Sequence, residues 1–516
     1  MRILLITSRL ARRTVEEGVR EAQRDGCREH EVEILTLPVD VISLLDTVTI
    51  CNVIERVLGS DTLRNYDLII VPGLVRGSAR ELEKRFGVKA VKGFIHASMT
   101  KNLLCMSSTE LLNLSPDLAA DYIVSQQAKA RLANLELDTV SVCTLSSCIC
   151  LRNVCITSKP PPIRVVGLLL PELIRRGIDF VEHLECADVV GLAVDDTIDV
   201  DDAKKILKRL EIELGKPLAI DCYEVSKLRL LAREVDLIVN IPLQLVEEIR
   251  EDLKHCAVSI PVLTGASTED KLRNALTILN RAKEHGFERV VLDLVLNPPL
   301  KGFVYSLETY RRASQILPCP LQATVNNVVE YLDADSIGIA ALTTCIALEC
   351  GISLVVVYEG VGRSFNLINE VSKARDLAML ALHRNTMPRD LGIDLFLAKE
   401  AHPLDIELTS QNINRVIEVE KRSTTPRPDP MGVFKVRADK YRRVIEVLYM
   451  GRKGVVLLRG RDPLALAYEA IDRGYVSTLH HAAYLGHELA RAHVAIELGR
   501  SYVQDFQLVK RIKCRD

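Results

Sequence analysis

The sequence predicts an α/β protein of three parts: a central (β/α)8 TIM barrel, an N-terminal doubly wound α/β domain and a small C-terminal α+β domain. Three observations predict it. Apolar strand patterns alternate with amphipathic helix patterns from the first residue to about residue 400. The proline-rich "TSKPPPI" at 157–163 interrupts that alternation, and roughly eight strand–helix units over about 240 residues follow it, the count and length of a closed barrel. A second break, the Pro/Ser/Thr-rich "KRSTTPRPDPMG" at 421–432, precedes a last stretch of different pattern. With 516 residues, the chain is also too long for one hydrophobic core.

In residues 1–156, "RILLIT", "EVEILTLP", "YDLIIVPG", "VKAVKGF" and "TVSVCTL" read as strands, with "TVEEGVREAQRD" and "SARELEKRFG" as helices between them. Continuous apolar strands alternating with helices imply a parallel sheet covered on both faces, a flavodoxin- or Rossmann-like domain. From 160 to 420, the barrel strands are "RVVGLLL", "DVVGLAV", "PLAIDC", "DLIVNI", "SIPVLTG", "RVVLDLVL", "PLQATV" and "SLVVVYE". Helical patterns such as "VDDAKKILKRLEIELG" and "TEDKLRNALTILNRAKEHG" lie between them. In 432–516, "GVFKVRA", "RRVIEVLYM" and "GVVLLRG" predict a small sheet, and the stretch from Asp462 predicts two helices.

Composition narrows the function classes. A formal net charge of −2 predicts no general attraction to nucleic acid or anionic membrane. With 9 Phe, 13 Tyr and no Trp there is little aromatic surface on which to stack bases. No apolar run approaches the roughly 18–20 residues of a membrane span, and the basic residues follow rather than precede the first apolar run. A soluble cytoplasmic protein without a signal peptide is the expectation. Most of the 14 cysteines sit singly in apolar segments, among them Cys105, Cys186, Cys319 and Cys345, and are expected as buried thiols, with intracellular disulfides of the kind found in thermophiles as the alternative.

In a barrel of this kind the ligand site lies at the carboxyl ends of the strands. Candidates there are Asp195 and Asp196, Asp221, Asn240, Asp293, Asn326 and Asn327, with Glu359, Arg363 and Ser364 after the eighth strand. Asp293 is the sharpest of them, because a carboxylate on an apolar strand costs several kcal/mol unless something pairs with it. A lone Asp at a strand end often only caps a helix, but acids and amides recurring around one rim point to a ligand.

Several segments carry a family resemblance. "AIDCYEVSKLRLLAREVDLIVNI" is similar to the pterin-binding segment of dihydropteroate synthases, and "VLDLVLNPPLKGFVYSLETYRRA" and "YLDADSIGIAALTTCIALECGISLVVVYEG" resemble segments of archaeal dihydropteroate synthase-related proteins. "DLIIVPGLVRG" and "HHAAYLGHELARA" extend the likeness to both flanks. The resemblance implies a pterin-binding transferase that condenses a 6-hydroxymethyl-dihydropterin diphosphate with an arylamine, in folate- or methanopterin-type biosynthesis. It implies Asp221, Asn240, Asp293 and Asn326 on the pterin and Lys301, Arg363 and Ser364 on the diphosphate or amine side, with Mg2+ as an accompanying ion. A pterin-binding scaffold without turnover and a pterin-dependent methyltransferase are the alternatives. The first barrel strand ends "GLLLPEL" in place of the synthases' Asn-Thr-Pro-Asp-Ser loop, and the lysine expected over the pterin after the seventh strand is absent.

Other motifs read more plainly. In "HELARAH" the histidines His487 and His493 are six apart, which puts them on different helical faces and excludes the two-histidine zinc motif. His480, Tyr484, His487 and Arg491 share a face and predict an interface with the barrel mouth or a second subunit. Cys143, Cys148, Cys150 and Cys155 lack a common zinc or iron–sulfur spacing and are expected as strand thiols, with a disulfide or a metal site as the alternatives. Gly73, Gly77 and Ser78 precede a helix as an ordinary turn, with an anion-binding turn as the alternative, and the apolar, small-residue "SIGIAALTTCIALECG" suits either a buried helix or a homodimer face.

Overall fold

The computed structural model describes residues 1–58, 62–143, 148–176, 180–389, 391–399, 417–419 and 428–509. The chain divides into two compact units, Met1–Leu145 with Asp376–Asn414 and Ser146–Arg375 with Arg415–Asp516. Most of the expected linker at 421–432 lies outside the described residues.

The first unit contains a parallel sheet of β1 (Arg2–Thr7), β2 (Glu31–Thr36), β3 (Leu68–Val71) and β4 (Ala90–Lys92), ordered β2-β1-β3-β4. Strand alternation sends Leu4, Ile6, Ile69 and Val71 into one core and Ile3, Leu5, Leu68 and Ile70 into the other. Both faces are therefore covered by helices, as continuous apolar strands require. The expected fifth strand, "TVSVCTL", is not one: the helix Ala120–Cys143 runs through most of it. A helix already nucleated over "ADYIVSQQAKARLANLELD" extends at little cost per residue, which overrides the strand preference of a few β-branched residues. Cys105 is not a buried free thiol either, since it forms a disulfide with Cys27.

The second unit begins ten residues before the boundary expected at 156. A hairpin of β5 (Cys148–Leu151) and β6 (Val154–Thr157) belongs with the barrel. The barrel closes from β7 (Arg164–Leu169), β8 (Val189–Val194), β9 (Leu218–Cys222), β10 (Leu237–Ile238), β11 (Ala257–Pro261), β12 (Val290–Asp293), β13 (Leu321–Thr324) and β14 (Leu354–Glu359). Closure is made by β14 pairing with β7 over six residue pairs, Leu354 with Arg164 through Glu359 with Leu169. Ile149, Leu151, Val154 and Ile156 of the hairpin pack against Val166, Leu168, Val189, Ala219, Leu237, Val291, Leu354 and Val356. Arg164, at the start of β7, donates to the Cys155 carbonyl at 2.9 Å, and Arg289, just before β12, donates to the Cys150 carbonyl at 3.0 Å. The hairpin thus plugs the amino-terminal end of the cylinder, and Cys150 and Cys155 are cross-strand neighbours on that plug. With one end closed by apolar side chains, a ligand has the carboxyl-terminal end to enter.

The C-terminal domain is an antiparallel sheet of β15 (Gly432–Asp439), β16 (Val444–Gly451) and β17 (Gly454–Gly460), covered on one face by the helices Pro463–Asp472 and Leu479–Glu497. Phe434, Val436, Val447 and Tyr449 alternate inward against Leu485, Leu489 and Ala492. The domain meets the barrel where Phe365, just beyond β14, sits edge-on to Tyr441 at 5.3 Å. Gly499 approaches Phe365 so closely that a Cβ there would lie 2.8 Å from the ring, and its φ of 64° is itself a glycine conformation. On the expected interface face of the last helix, Tyr484 donates to Asp505 and Arg491 bonds Glu488, as does Tyr502, within the domain, while His480 and His487 are exposed. Among the described residues no helix is long and apolar enough to cross a membrane.

Candidate functional site

Because strand side chains alternate, one inward residue per strand forms a layer above the apolar plug. On β9 the inward series is Ala219 then Asp221, on β12 Val291 then Asp293, and on β14 Leu354, Val356 then Tyr358. β13 contributes Gln322, which is fully buried. Polar side chains therefore replace apolar ones at the last inward position before the mouth.

These groups form one network. Tyr358 donates its hydroxyl to Asp221 Oδ2, and Asn240 Nδ2 donates to the Tyr358 oxygen at 2.9 Å. Gln322 Nε2 donates both to Asn240 Oδ1 at 2.8 Å and to Asp293 Oδ2 at 3.2 Å. Since both partners of that nitrogen are acceptors, the amide orientation of Gln322 is determined by the network itself. Asn240 takes its place in a left-handed conformation, φ 55°, which asparagine tolerates better than most residues.

Asp293 is the last residue of β12. Its partners are neutral donors. The Tyr310 hydroxyl lies 2.7 Å from Oδ1, and the Val295 N–H donates to the same oxygen at 2.7 Å. Val295 has a φ of 62°, a costly conformation for a β-branched side chain that this turn imposes. Burial raises the Asp293 carboxyl, while hydrogen bonds from Tyr310, Val295 and Gln322 and the charge of Lys271 pull it back.

Two acceptors in the layer are buried without a hydrogen bond, Asp221 Oδ1 and Gln322 Oε1. Burial pushes the Asp221 carboxyl up to about 6, with Tyr358, Asn240 and Tyr223 opposing the shift. Tyr223, two residues beyond Asp221, is 57% exposed and offers an aromatic face at the rim. An orphaned acceptor costs about 1–3 kcal/mol, and each of these two could take a hydrogen bond from a donor brought into the layer.

The other sequence candidates stand apart from this network. Asn326 accepts from Tyr358 N–H at 2.8 Å and donates to the Tyr358 carbonyl at 2.9 Å, so it holds the end of β14 rather than facing a ligand. Asn327 donates to the Leu296 carbonyl. Glu359 is fully buried and accepts from the N–H groups of Asn366 and Ile368, a helix-start contact. Asp195 closes a turn on Thr197. Arg363 is ion-paired with Asp333, Ser364 is buried, and Lys301 is exposed on the turn before the helix Phe303–Ile316. Among the described residues no three His, Cys, Asp or Glu side chains gather as metal ligands.

Gln322, Tyr358, Tyr310 and Lys271 were missed at the level of sequence. Gln322 and Tyr358 had a signal: each is a polar residue on the inward parity of "PLQATV" and "SLVVVYE". Tyr310 and Lys271 had none, because they come from helices. Lys271 is buried, and burial lowers its ammonium while nearby Asp293 opposes that shift.

Comparison with known proteins adds three findings. Residues 428–505, the C-terminal domain, match the family model PterinBD-DUF4346. Uncharacterized protein MJ0107 of Methanocaldococcus jannaschii is 26% identical over 536 residues, covering 98% of this chain and 99% of its own. The dihydropteroate synthase of Yersinia pestis aligns with 46% of this chain and 99% of its own at 16% identity and a TM-score of 0.36. The 7,8-dihydropteroate synthase of Vibrio fischeri does so over the same shares at 12% identity and a TM-score of 0.38. The barrel itself rests on the strand pairing described above.

Proposed function

We propose that the barrel mouth binds a reduced pterin and that the protein is a dihydropteroate synthase-like transferase, joining a pterin 6-methylene carbon to an arylamine nitrogen. The observation that carries this reading is the pair of unpaired buried acceptors, Asp221 Oδ1 and Gln322 Oε1, within one polar layer at the open end of the cylinder. A pterin presents donors along one edge, its 2-amino group and ring N–H, and these acceptors complement them. Asp293 and Asn240 aim Gln322, Tyr358 aims Asp221, and the exposed ring of Tyr223 is available to stack on the heterocycle. In the reaction the carbon–oxygen bond to diphosphate breaks, the carbon–nitrogen bond forms and the amine gives up a proton. The protein's part is to hold the two reactants in line and offset the leaving group's charge. Lys271, beside Asp293, supplies a cation near this layer although no lysine follows β13.

The test is the melting temperature of the full chain with dihydropterin alcohol and with its diphosphate. Each is expected to raise it, and Asp293→Asn is expected to remove the rise, because an amide at 293 breaks the acceptor set that orients Gln322. No rise with either compound overturns the reading. A second reading, a pterin-binding protein without turnover, is favoured by one observation: Arg363 is committed to Asp333 and Ser364 is buried, which leaves neither presented to a leaving group. Release of diphosphate on mixing pterin diphosphate with arylamines separates the two.

A homodimer is part of the same proposal. The helix Ser336–Glu349 buries Ala340, Thr343, Thr344 and Ala347 within the chain and leaves Leu342 63% exposed on its other side. Light scattering is expected to give twice the 57.5 kDa chain mass, and Leu342→Glu to halve it. An unchanged mass in the variant removes this helix from the interface.

A further inference from the structure

A second concave site lies in the same unit, between the barrel and the C-terminal domain. Its volume is about 450 Å³, and its lining includes Arg176, Arg437, Lys440, Arg442 and Ser501. Arg176 follows the short helix Pro171–Arg175 that β7 leads into, and Lys440 and Arg442 lie in the turn joining β15 to β16. Four cations thus surround one cavity.

Their neutralisation is incomplete. Arg437 pairs with Glu446 at 3.2 Å. Asp439, the carboxylate in the lining, accepts from the backbone N–H groups of Tyr441 and Arg442 and so serves the turn. Among the described residues, Arg176 and Arg442 make no ion pair, and Arg176 lies over the Tyr441 ring at 5.2 Å. Lys440 donates to the Gly499 carbonyl at 2.8 Å, with its ammonium 4.9 Å from the Phe365 ring centre and 5.2 Å from that of Tyr441. Burial and the charge of Arg176 both push the Lys440 ammonium down. Like charges brought together on a partly desolvated wall are stabilised when an anion sits among them.

We propose that this cleft binds a phosphate or diphosphate group of a small-molecule ligand, held by Arg176, Lys440 and Arg442 with the Ser501 hydroxyl as a further donor. Planar guanidinium groups pair with two phosphate oxygens at once, and the cavity is large enough for a phosphorylated molecule rather than a single halide ion. The C-terminal domain then has a chemical task, since it completes an anion site whose other wall is the barrel. This stands apart from the pterin reading, which concerns the layer inside the cylinder.

Calorimetric titration of the full chain with inorganic diphosphate at low ionic strength tests it. Saturable binding is expected, weakened at least tenfold by Arg442→Glu and further by Arg176→Gln combined with Arg442→Gln. Arg452→Glu, at the opposite end of β16, is expected to leave it unchanged. Arg442 is exposed and makes no ion pair among the described residues, so its variant is expected to fold, and the pterin-induced rise in melting temperature reports separately on the barrel. No saturable binding, or equal binding by Arg442→Glu and the unaltered chain, overturns the proposal.

Discussion

Asp221→Asn is expected to stabilise the ligand-free protein at neutral pH while weakening its hold on a reduced pterin. The carboxyl of Asp221 is 8% exposed, and burial pushes it up to about 6 from an ordinary value near 3.9. A group raised in the folded state contributes stability that is fully present below about pH 4 and is lost as the pH climbs through about 6. At pH 7.5 the folded protein carries a buried charge that the unfolded chain would hydrate, a cost of up to about 3 kcal/mol for a shift of that size. Asparagine carries no charge and can still accept from Tyr358, so the variant avoids most of that cost.

Denaturant unfolding from pH 4 to pH 8 checks this. The stability difference between variant and parent should open as the pH rises and close toward pH 4. Other raised groups, such as Glu370 at about 7, are present in both proteins and cancel in the difference. Parallel pH curves would show that Asp221 is not the group that titrates. The binding side of the expectation follows from charge: a hydrogen bond to a carboxylate is worth about 1.5–3 kcal/mol, so a tenfold or larger loss of pterin affinity is expected. A residue that weakens the fold and strengthens the ligand contact is placed for binding rather than for stability.

Asp429→Ala is expected to cost about 3–5 kcal/mol and to unfold the C-terminal domain first. The carboxylate is 5% exposed and accepts from the N–H groups of Met431, Ser477 and Thr478 at 2.8–2.9 Å, and from the Ser477 hydroxyl at 2.5 Å. It ties the start of β15 to the residues preceding the helix Leu479–Glu497, whose first turn Thr478 caps. Alanine would strand three N–H groups at once. Burial alone would raise this carboxyl, but hydrogen bonds from Ser477, Met431 and Thr478 outweigh burial and hold it well below the usual range. Its contribution is therefore present above about pH 4 and lost only as the pH falls further, the opposite dependence from Asp221. Urea titration followed by tyrosine fluorescence is the measurement. A loss under 1 kcal/mol would mean the freed N–H groups find water.

Much of the architecture could be read from local pattern. Eight apolar strands at βα spacing imply helices on the outside because each strand must be covered on both sides, and their count and length over about 240 residues match a closed barrel. Asp221, Asn240 and Asp293 were legible as candidates for the same reason: each is a polar residue where an apolar strand ends. Asn326 carried the same signal and serves the end of β14 instead, since strand-end position says nothing of which way an amide turns. "TVSVCTL" failed because its preference for a strand is weak beside a helix propagating into it.

What the sequence by itself determined, then, is the barrel, its rim and the residue types on that rim. Only the tertiary structure decided that Tyr310 and Val295 satisfy Asp293, that Gln322 and Tyr358 join the three strand-end residues, and that Arg176 faces Lys440 and Arg442. Hydrophobic periodicity is a property of neighbours along the chain. Hydrogen-bond satisfaction and charge clustering are properties of residues that closure of the cylinder and docking of the last domain bring together from far apart.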